Sequence, residues 1–185
     1  MRIRQVGDPI LREVSLPVRT DAIMSQEIAT LVAKMKDILN GIKSISDENG
    51  NALSAPQVGR LLRLIVLRLQ GEFRVMINPE FKALSSQTFE FDEECFSLYD
   101  QRARLERFSQ IEVSYLDEAA VAHAITLTGE SAGLVQHEID HLDGVLFTDR
   151  LEQAGRQAQS IDEQLSSQPE RLAQVKAMID YMIGD

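Results

Sequence analysis

The chain contains a single cysteine, Cys95, which excludes an intramolecular disulfide bond. Basic residues are also few, since 19 lysines and arginines face 29 aspartates and glutamates, for a formal net charge of −10. This balance argues against binding nucleic acid through a broad basic surface. No apolar run approaches the length of a membrane-spanning helix, so we expect no membrane partner.

The first residues, Met1 to Gln5, lack the apolar stretch of a signal peptide, and we expect a cytoplasmic protein. The 185 residues are 44% apolar and 26% charged, which is ordinary for a globular protein with a full core. Because no internal repeat or linker is evident, we expect one domain over residues 1–185, with residues 150–185 as a helical tail. No pattern specifies an oligomeric state.

Helices are predicted by apolar residues at three- and four-residue spacing. The first spans about residues 25–43, with Ser25 as its N-cap. A second is expected at about residues 130–142, closed by Gly144. Pro169 is expected to open the last helix at its first position.

Several antiparallel strands are expected between these helices, because the segments there alternate or are rich in β-branched residues. They are residues 61–69, 73–77, 88–91, 104–108, 111–116 and 121–127. Asn78-Pro79 is expected to end the second of them. A helix, then antiparallel strands, then helices is an α+β layout.

The segment His137-Glu138-Ile139-Asp140-His141 has the pattern H-E-x-x-H. Residues four apart lie on the same face of a helix, so His137 and His141 can direct their rings at one metal ion. Glu138, beside the first histidine, can take a proton from a water activated by that ion. The pattern therefore predicts metal-assisted hydrolysis, and a charged surface helix with two histidines is the alternative.

A catalytic metal site usually takes three protein ligands, so a third donor is needed. The candidates are Cys95, His123 or a carboxylate. A lone cysteine is more often an inert buried residue, and a histidine in a predicted strand is more often structural. Spacing alone does not select between them.

Three separated segments resemble motifs of the peptide deformylase family. Residues 50–57, 93–97 and 136–141 stand where that family has G-x-G-x-A-A-x-Q, E-G-C-x-S and Q-H-E-x-D-H. The similarity covers about residues 1–150, in the family's order. It implies a peptide-deformylase-like fold of antiparallel sheets around a central H-E-x-x-H helix, with an N-terminal and a C-terminal helix.

The resemblance also implies a function, the removal of the formyl group from N-terminal formylmethionine of nascent bacterial or organellar polypeptides. One divalent metal is implied, usually ferrous iron, with zinc or nickel as substitutes. Its ligands would be Cys95, His137 and His141. Glu138 would be the general base, while the Gln57 amide and the Phe96 backbone N–H would polarise the formyl carbonyl.

Residues implied to contact the substrate lie in the three motif segments or near them. They are Gly50, Asn51, Ala52, Leu53, Phe91, Glu94, Arg102 and Leu134. Ala52 and Glu94 replace glycines of the family pattern, and an alanine at a position requiring positive φ would be strained. The acidic run before Cys95 is interpreted either as a charge in the cleft or as a solvated loop.

Further departures from the pattern are Ser54 in place of an alanine, and Glu130 and Ser131 at usually apolar positions. Ala52, Glu94, Glu130 and Ser131 leave open a paralogue that acts on another N-acyl or formamide substrate. A non-catalytic peptide- or metal-binding member is also open, although Glu138 and Gln57 are intact. An unrelated zinc endopeptidase is the last alternative, and the motif around the cysteine argues against it.

The C-terminal tail departs from the family in charge. From Arg150 onward it has four basic residues, Arg150, Arg156, Arg171 and Lys176. The six acidic ones are Glu152, Asp162, Glu163, Glu170, Asp180 and Asp185. This balance does not favour docking on ribosomal RNA.

Overall fold

The computed structural model describes residues 3–183. Its helices are α1 (Gln26–Ile45), α2 (Gly129–Leu142), α3 (Phe147–Gln153), α4 (Ile161–Gln164) and α5 (Pro169–Ile183). Its strands are β1 (Ala52–Ser54), β2 (Leu64–Leu69), β3 (Glu72–Ala83), β4 (Thr88–Cys95), β5 (Leu98–Phe108), β6 (Gln110–Leu116), β7 (Ala122–Thr128) and β8 (Gln159–Ser160). Short 3-10 helices span Pro9–Arg12, Thr20–Ala22 and Ala55–Val58. The α+β prediction is confirmed.

The strands form two antiparallel sheets. One has the order β1-β2-β3-β6-β7 and the other the order β4-β5-β8. Strands β1 and β4 therefore each lie at the edge of a sheet, with one side of the backbone free to pair.

Three groups of buried apolar side chains hold these layers together. Helices α1 and α5 pack on one face of the larger sheet, and α1 buries seven apolar residues there. Helix α2 packs on the opposite face of the same sheet. In the third group, side chains of the β4–β5 hairpin pack against those of α3. Helix α2 is thus enclosed between the sheets, which explains why ten of its residues are buried.

The predicted helix ends are confirmed. The hydroxyl of Ser25 accepts a hydrogen bond from the Ile28 backbone N–H, as an N-cap does. Gly144 follows α2 with φ +71°, and Pro169 is the first residue of α5. No helix within residues 3–183 is long and apolar enough to span a membrane.

The strand prediction at Asn78 is wrong, because β3 continues beyond it to Ala83. Asn78 adopts φ 51°, and the pairing register with β6 shifts between Ile77 and Glu80. The Asn78 side chain accepts a hydrogen bond from the Val18 backbone N–H and donates one to the Val18 carbonyl. These bonds stabilise a bulge that bends the strand without ending it.

The acidic run before Cys95 is part of a strand, not a solvated loop. Strand β4 extends to Cys95 and β5 already begins at Leu98, so both are longer than predicted. Ala52 lies in β1 and is not among the residues with positive φ, so it causes no backbone strain.

Candidate metal centre and its cleft

Helix α2 carries two histidines one turn apart in the protein interior. His137 and His141 are 5% and 1% exposed, and their ring centroids are 4.9 Å apart. Gln136 fixes the helix beside them, because its amide donates to the Phe108 carbonyl and accepts from the Phe108 N–H, each at 3.0 Å. These two bonds to the end of β5 therefore fix the position of α2 along its axis and its rotation about that axis.

Strand β4 supplies the thiol. Its side chains alternate between exposed and buried, so Phe91, Glu93 and Cys95 all point inward. The Cys95 sulfur lies 3.2 Å from His141 Nε2. Cys95 is thus the residue that joins the two histidines, and not His123.

The three donor atoms fit one metal ion. The ligand atoms of Cys95, His137 and His141 all lie within 4.8 Å of one another. Ligand atoms on a tetrahedral ion bound by sulfur and nitrogen stand about 3.3 to 3.6 Å apart, close to the spacing of the Cys95 and His141 atoms. A buried oxygen beside them, Glu138 Oε2, has no hydrogen-bond partner among the described residues. The donor set and the unpartnered oxygen both suit a small divalent cation and its water.

A chain of buried charges holds His137 in place. Its Nδ1 contacts Glu93 Oε2 at 2.5 Å, which leaves Nε2 for a metal. The other Glu93 oxygen accepts from Arg107 Nε at 2.7 Å, and Arg107 Nη1 donates to Asp140 at 2.6 Å. Arg150 binds the same aspartate from the protein surface. The chain of ion pairs fixes the ring and compensates the buried charge of Glu93.

These surroundings perturb several pKa values. Burial by itself disfavours a charged His137, but the Glu93 carboxylate and Cys95 outweigh it and raise the pKa of His137. Burial, together with the positive charges of His137 and Arg107, lowers the pKa of His141, which favours the neutral form that binds metal. Burial raises the pKa of Glu138 to about 7. A carboxyl group with this pKa can both accept and return a proton near neutral pH.

Gln57 is held with its amide nitrogen toward the cysteine. Its oxygen accepts from the Ser54 backbone N–H at 2.9 Å and from the Ser54 hydroxyl at 3.0 Å. Its nitrogen lies 3.7 Å from the Cys95 sulfur and 3.2 Å from the Ser97 hydroxyl oxygen. Because both donors from Ser54 bind the oxygen, the NH₂ group is the part that faces the metal centre.

The residues around these side chains form a cleft of about 330 Å³. One end holds Cys95, His137, Glu138, Gln57 and Phe96. Helix α2 contributes further residues at helical spacing, namely Glu130, Ser131 and Leu134. The free edges of β1 and β4 contribute Ala52, Phe91, Asp92 and Glu94, and Gly50 and Asn51 precede β1.

Two of the substrate residues implied by the family pattern do not line the cleft. Leu53 is 0% exposed and packs in the core against α1, because alternate residues of β1 face opposite sides. Arg102 is outside the cleft lining, and its Nη2 lies 2.9 Å from Glu94 Oε2. The remaining ones, Gly50, Asn51, Ala52, Phe91, Glu94 and Leu134, do line it.

His123 lies elsewhere, on β7. It contacts Asp117 Oδ2 at 2.7 Å and stacks on the Tyr115 ring. This is the structural role expected of a histidine in a strand.

The sequence did not predict that Glu93, Arg107 and Asp140 would support the metal ligands. The signal for Glu93 was present, since strand alternation between Phe91 and Cys95 puts it on the buried side. Three further residues that line the cleft, Glu48, Arg68 and Arg171, lie outside the three motifs and were not predicted either. Nothing in their local sequence marks them.

Comparisons with known proteins agree with this geometry. The family model for polypeptide deformylase matches residues 1–157. A peptide deformylase of Treponema pallidum (strain Nichols) is 33% identical over 156 residues, which span 84% of this chain and 91% of that protein. The crystal structure of peptide deformylase from Thermotoga maritima, 32% identical, matches with a TM-score of 0.70 over 80% of this chain and 95% of that one. An Acinetobacter baumannii peptide deformylase with Met-Ala-Ser bound is 29% identical, with a TM-score of 0.71 over 81% of this chain and 97% of that one.

The family match includes strands β1 to β7, the helix that carries the metal motif and all three motif segments, and it ends just before β8. The peptide-deformylase-like fold expected from those motifs is thereby confirmed. This chain belongs to the polypeptide deformylase family.

Proposed function

We propose that this protein removes the formyl group from N-terminal formylmethionine of polypeptides, releasing formate and a free amine. One observation carries the proposal, the group of Cys95, His137 and His141 donors within 4.8 Å, next to a buried Glu138 in an open cleft. Relatives at this level of identity are named peptide deformylases.

The three donors are proposed to hold one divalent ion, ferrous iron as the physiological metal and zinc or nickel as substitutes. When bound, such an ion supplies Lewis acidity toward the formyl carbonyl and lowers the pKa of water. The mixed sulfur and nitrogen donor set suits each of these metals.

The protein's own groups move the proton and bind the developing charge. Glu138 takes a proton from the attacking water and then gives it to the leaving amine. The Gln57 NH₂ group and the Phe96 backbone N–H donate to the formyl oxygen as it becomes negative. Burial raises the pKa of Glu138 to about 7, which supports its action first as a general base and then as a general acid.

The substrate is proposed to enter as an extended strand between the free edges of β1 and β4. Backbone groups near Ala52 and Glu94 would pair with it, as in other cases of strand addition. The first side chain would lie against Phe91 and Leu134, which line the cleft. A relative that binds Met-Ala-Ser supports a peptide as the occupant.

A second candidate is a related hydrolase that acts on a different formamide. The observation in its favour is that Glu130 and Ser131 line the cleft on the same face of α2 as Leu134. A purely apolar first side chain gains little from a carboxylate and a hydroxyl. Turnover of formylated peptides with polar first residues, compared with formyl-Met peptides, separates the two candidates.

We also propose that the protein works in a bacterial cytoplasm, where formylated polypeptides are made. Binding to ribosomal RNA through the C-terminal tail is not favoured, because the tail from Arg150 onward carries more acidic than basic residues. Co-sedimentation with ribosomes at low salt tests this point, and stable binding that depends on the tail would contradict it.

The direct test is formate release from formyl-Met-Ala-Ser, run without oxygen on protein loaded with ferrous iron and on a matched zinc sample. We expect one formate and one free amine per peptide, with the iron form faster. Folded, metal-loaded protein that releases no formate from any formylated peptide would overturn the proposal.

A further inference from the structure

Arg171 links the C-terminal helix to the cleft. It lies in the first turn of α5, beyond residue 157 where the family match ends. It nevertheless lines the same cleft as Cys95 and Glu138. A helix outside the matched region therefore contributes a charged residue to the proposed substrate path.

The partner of Arg171 is an exposed carboxylate on a different segment. Arg171 Nη2 lies 2.9 Å from Glu48 Oε2, and the two side chains are 40% and 69% exposed. Glu48 lies just before β1 and lines the cleft as well. An ion pair this exposed contributes little to stability, so another carboxylate can take the place of Glu48.

The neighbouring arginines are less free to change partners. Arg68, which also lines the cleft, donates to Asn40 and to the Gly50 carbonyl, and its guanidinium lies 3.8 Å from the Phe73 ring centroid. Arg102 is only 12% exposed and is paired with Glu94. Of the two arginines that line the cleft within residues 3–183, Arg171 is thus the one whose partner, Glu48, is mostly exposed to solvent.

A second groove adjoins the cleft and shares Asp92, Glu94 and Arg171 with it. Three more arginines line this groove, namely Arg102, Arg104 and Arg156. Three acidic residues, Asp92, Glu93 and Glu94, also line it, and Arg104 pairs with Asp92 and Arg102 with Glu94. The groove therefore has four arginines against three acidic residues, in a protein whose formal net charge is −10. It offers a continuation for a chain that leaves the cleft past Arg171.

We propose that Arg171 binds a carboxylate of the polypeptide substrate downstream of the formylated residue, in exchange for Glu48. The planar guanidinium of arginine is well suited to bind a carboxylate through two parallel hydrogen bonds. The inference depends on the proposed function, since it assigns a specificity residue to that cleft. The carboxylate can be an aspartate or glutamate side chain or the free C-terminus of a short peptide.

Whether the protein prefers an acidic residue in the substrate depends on where that residue lies along the peptide. Glu130 lines another wall of the cleft and forms no ion pair among the described residues. A carboxylate close to Glu130 is repelled, whereas one close to Arg171 is attracted. A scan of positions is therefore needed to find the one that Arg171 contacts.

The experiment measures kcat/KM on iron-loaded full-length protein with matched peptides. The first set is formyl-Met-Ala-Asp-amide against formyl-Met-Ala-Asn-amide, with the Asp/Asn pair then moved one residue in each direction. The second set is formyl-Met-Ala-Asn as free acid against its amide. These two sets separate a side-chain carboxylate from a C-terminal one.

The variants are Arg171→Gln, Arg171→Glu and Glu48→Gln, with Arg60→Gln as the matched control. Arg60 pairs with Glu27 at side-chain exposures of 41% and 65%, nearly the same as the Arg171 pair, but it does not line the cleft. Ratios are taken within each variant, so that general losses of activity cancel.

At the best position we expect the wild type to favour the carboxylate peptide by about two- to fivefold in kcat/KM. The ratio should fall to about one in Arg171→Gln, invert in Arg171→Glu, rise in Glu48→Gln and stay at the wild-type value in Arg60→Gln. Added salt should reduce the preference. A wild-type ratio of one in every set, or an unchanged ratio in Arg171→Gln, would overturn the inference.

Binding of the deformylated products, Met-Ala-Asp-amide and Met-Ala-Asn-amide, is measured by calorimetry on the same proteins. If no formylated peptide is hydrolysed, the proposed function fails, while an Arg171-dependent difference in product affinity still supports the carboxylate site. Equal product affinities in the wild type count against the site itself.

Discussion

Glu93 connects the metal ligands to the charged interior of the protein. One of its oxygens contacts His137 Nδ1 and the other accepts from Arg107. Burial disfavours its charge, but His137 and Arg107 outweigh burial and lower the pKa of Glu93 overall. The carboxylate is therefore ionised, and it orients the histidine that it contacts.

Replacing Glu93 by glutamine should weaken metal binding without removing a ligand. A neutral amide polarises the imidazole less, and loss of such a partner typically costs about 10- to 100-fold in metal affinity. Titration against a competing chelator measures the affinity. Asp92→Asn is the control, because this neighbour is exposed and its one ion pair within residues 3–183 is with Arg104. Equal affinities of the two variants would contradict the role assigned to Glu93.

Replacing Glu138 by glutamine should abolish turnover and leave the metal in place. Loss of a positioned general base and acid lowers kcat by about 10²- to 10⁴-fold. Formate release and metal content, measured on one sample, test the loss of turnover and the retention of the metal. His123→Asn serves as a control that changes an ionisable residue on β7, outside the metal group. Substantial formate release by the Glu138 variant would rule out its role as base.

At the scale of elements, the cleft depends on close approaches that only small residues allow. Helix α1 meets the start of β1 at Gly50, which has φ +77°. A Cβ there would lie 2.5 Å from the Leu39 carbonyl oxygen and 3.0 Å from the Lys43 backbone nitrogen. Because Gly50 has no side chain, the segment before β1 can pack directly on the backbone of α1 and still line the cleft.

Gly50→Ala should destabilise the protein by about 2 to 4 kcal/mol, the sum of a left-handed conformation and an overpacked contact. Gly71→Ala is the matched control, because Gly71 also has positive φ but no atom lies within 4 Å of its Cβ position. That variant should lose only about 1 kcal/mol. Urea unfolding measures both, and similar losses would show that the contact with α1 is unimportant.

Helix α2 and strand β4 meet at a second glycine. A Cβ on Gly133 would lie 2.5 Å from Phe91 Cδ2, and the Phe91 ring lines the cleft. Gly133→Ala should therefore displace the ring and raise KM for formyl-Met peptides, with a smaller effect on kcat. Adding Phe91→Leu should recover part of the loss, because the smaller side chain leaves room for the methyl group. A double variant no better than Gly133→Ala would contradict this packing.

At the scale of the whole molecule, the metal group joins parts of the chain that are far apart in sequence. Cys95 and His141 are separated by 46 positions and lie in a strand and a helix. A ligand that binds only where these parts are assembled stabilises the folded state by mass action. Metal content and global stability are thereby coupled.

Removal of the metal by a chelator should lower the melting temperature. A free metal concentration about 100-fold above Kd stabilises by about 2.7 kcal/mol, which corresponds to about 5 to 11 °C for a protein of this size. Thermal unfolding with and without ferrous iron measures the shift. His141→Ala should show no such shift, and an equal shift in that variant would place the stabilising ion elsewhere.

Much of the fold and part of the site could be predicted where the signal is local. Helix α1, its cap at Ser25 and the start of α5 at Pro169 follow from periodicity and from preferences at helix ends. Strand ends were less predictable, because the bulge at Asn78 depends on hydrogen bonds to Val18, 60 positions away. The organisation as one domain and the catalytic roles of the site residues stay predictions.

The sequence by itself determined that His137 and His141 share a helix face, because a four-residue spacing is a property of the helix alone. Only the tertiary structure decided that Cys95 completes the group, that Glu93 is turned inward behind it, and that Arg171 reaches the cleft. These contacts depend on how sheets and helices pack, and packing is set by the sum of many long-range interactions. No local pattern encodes that sum.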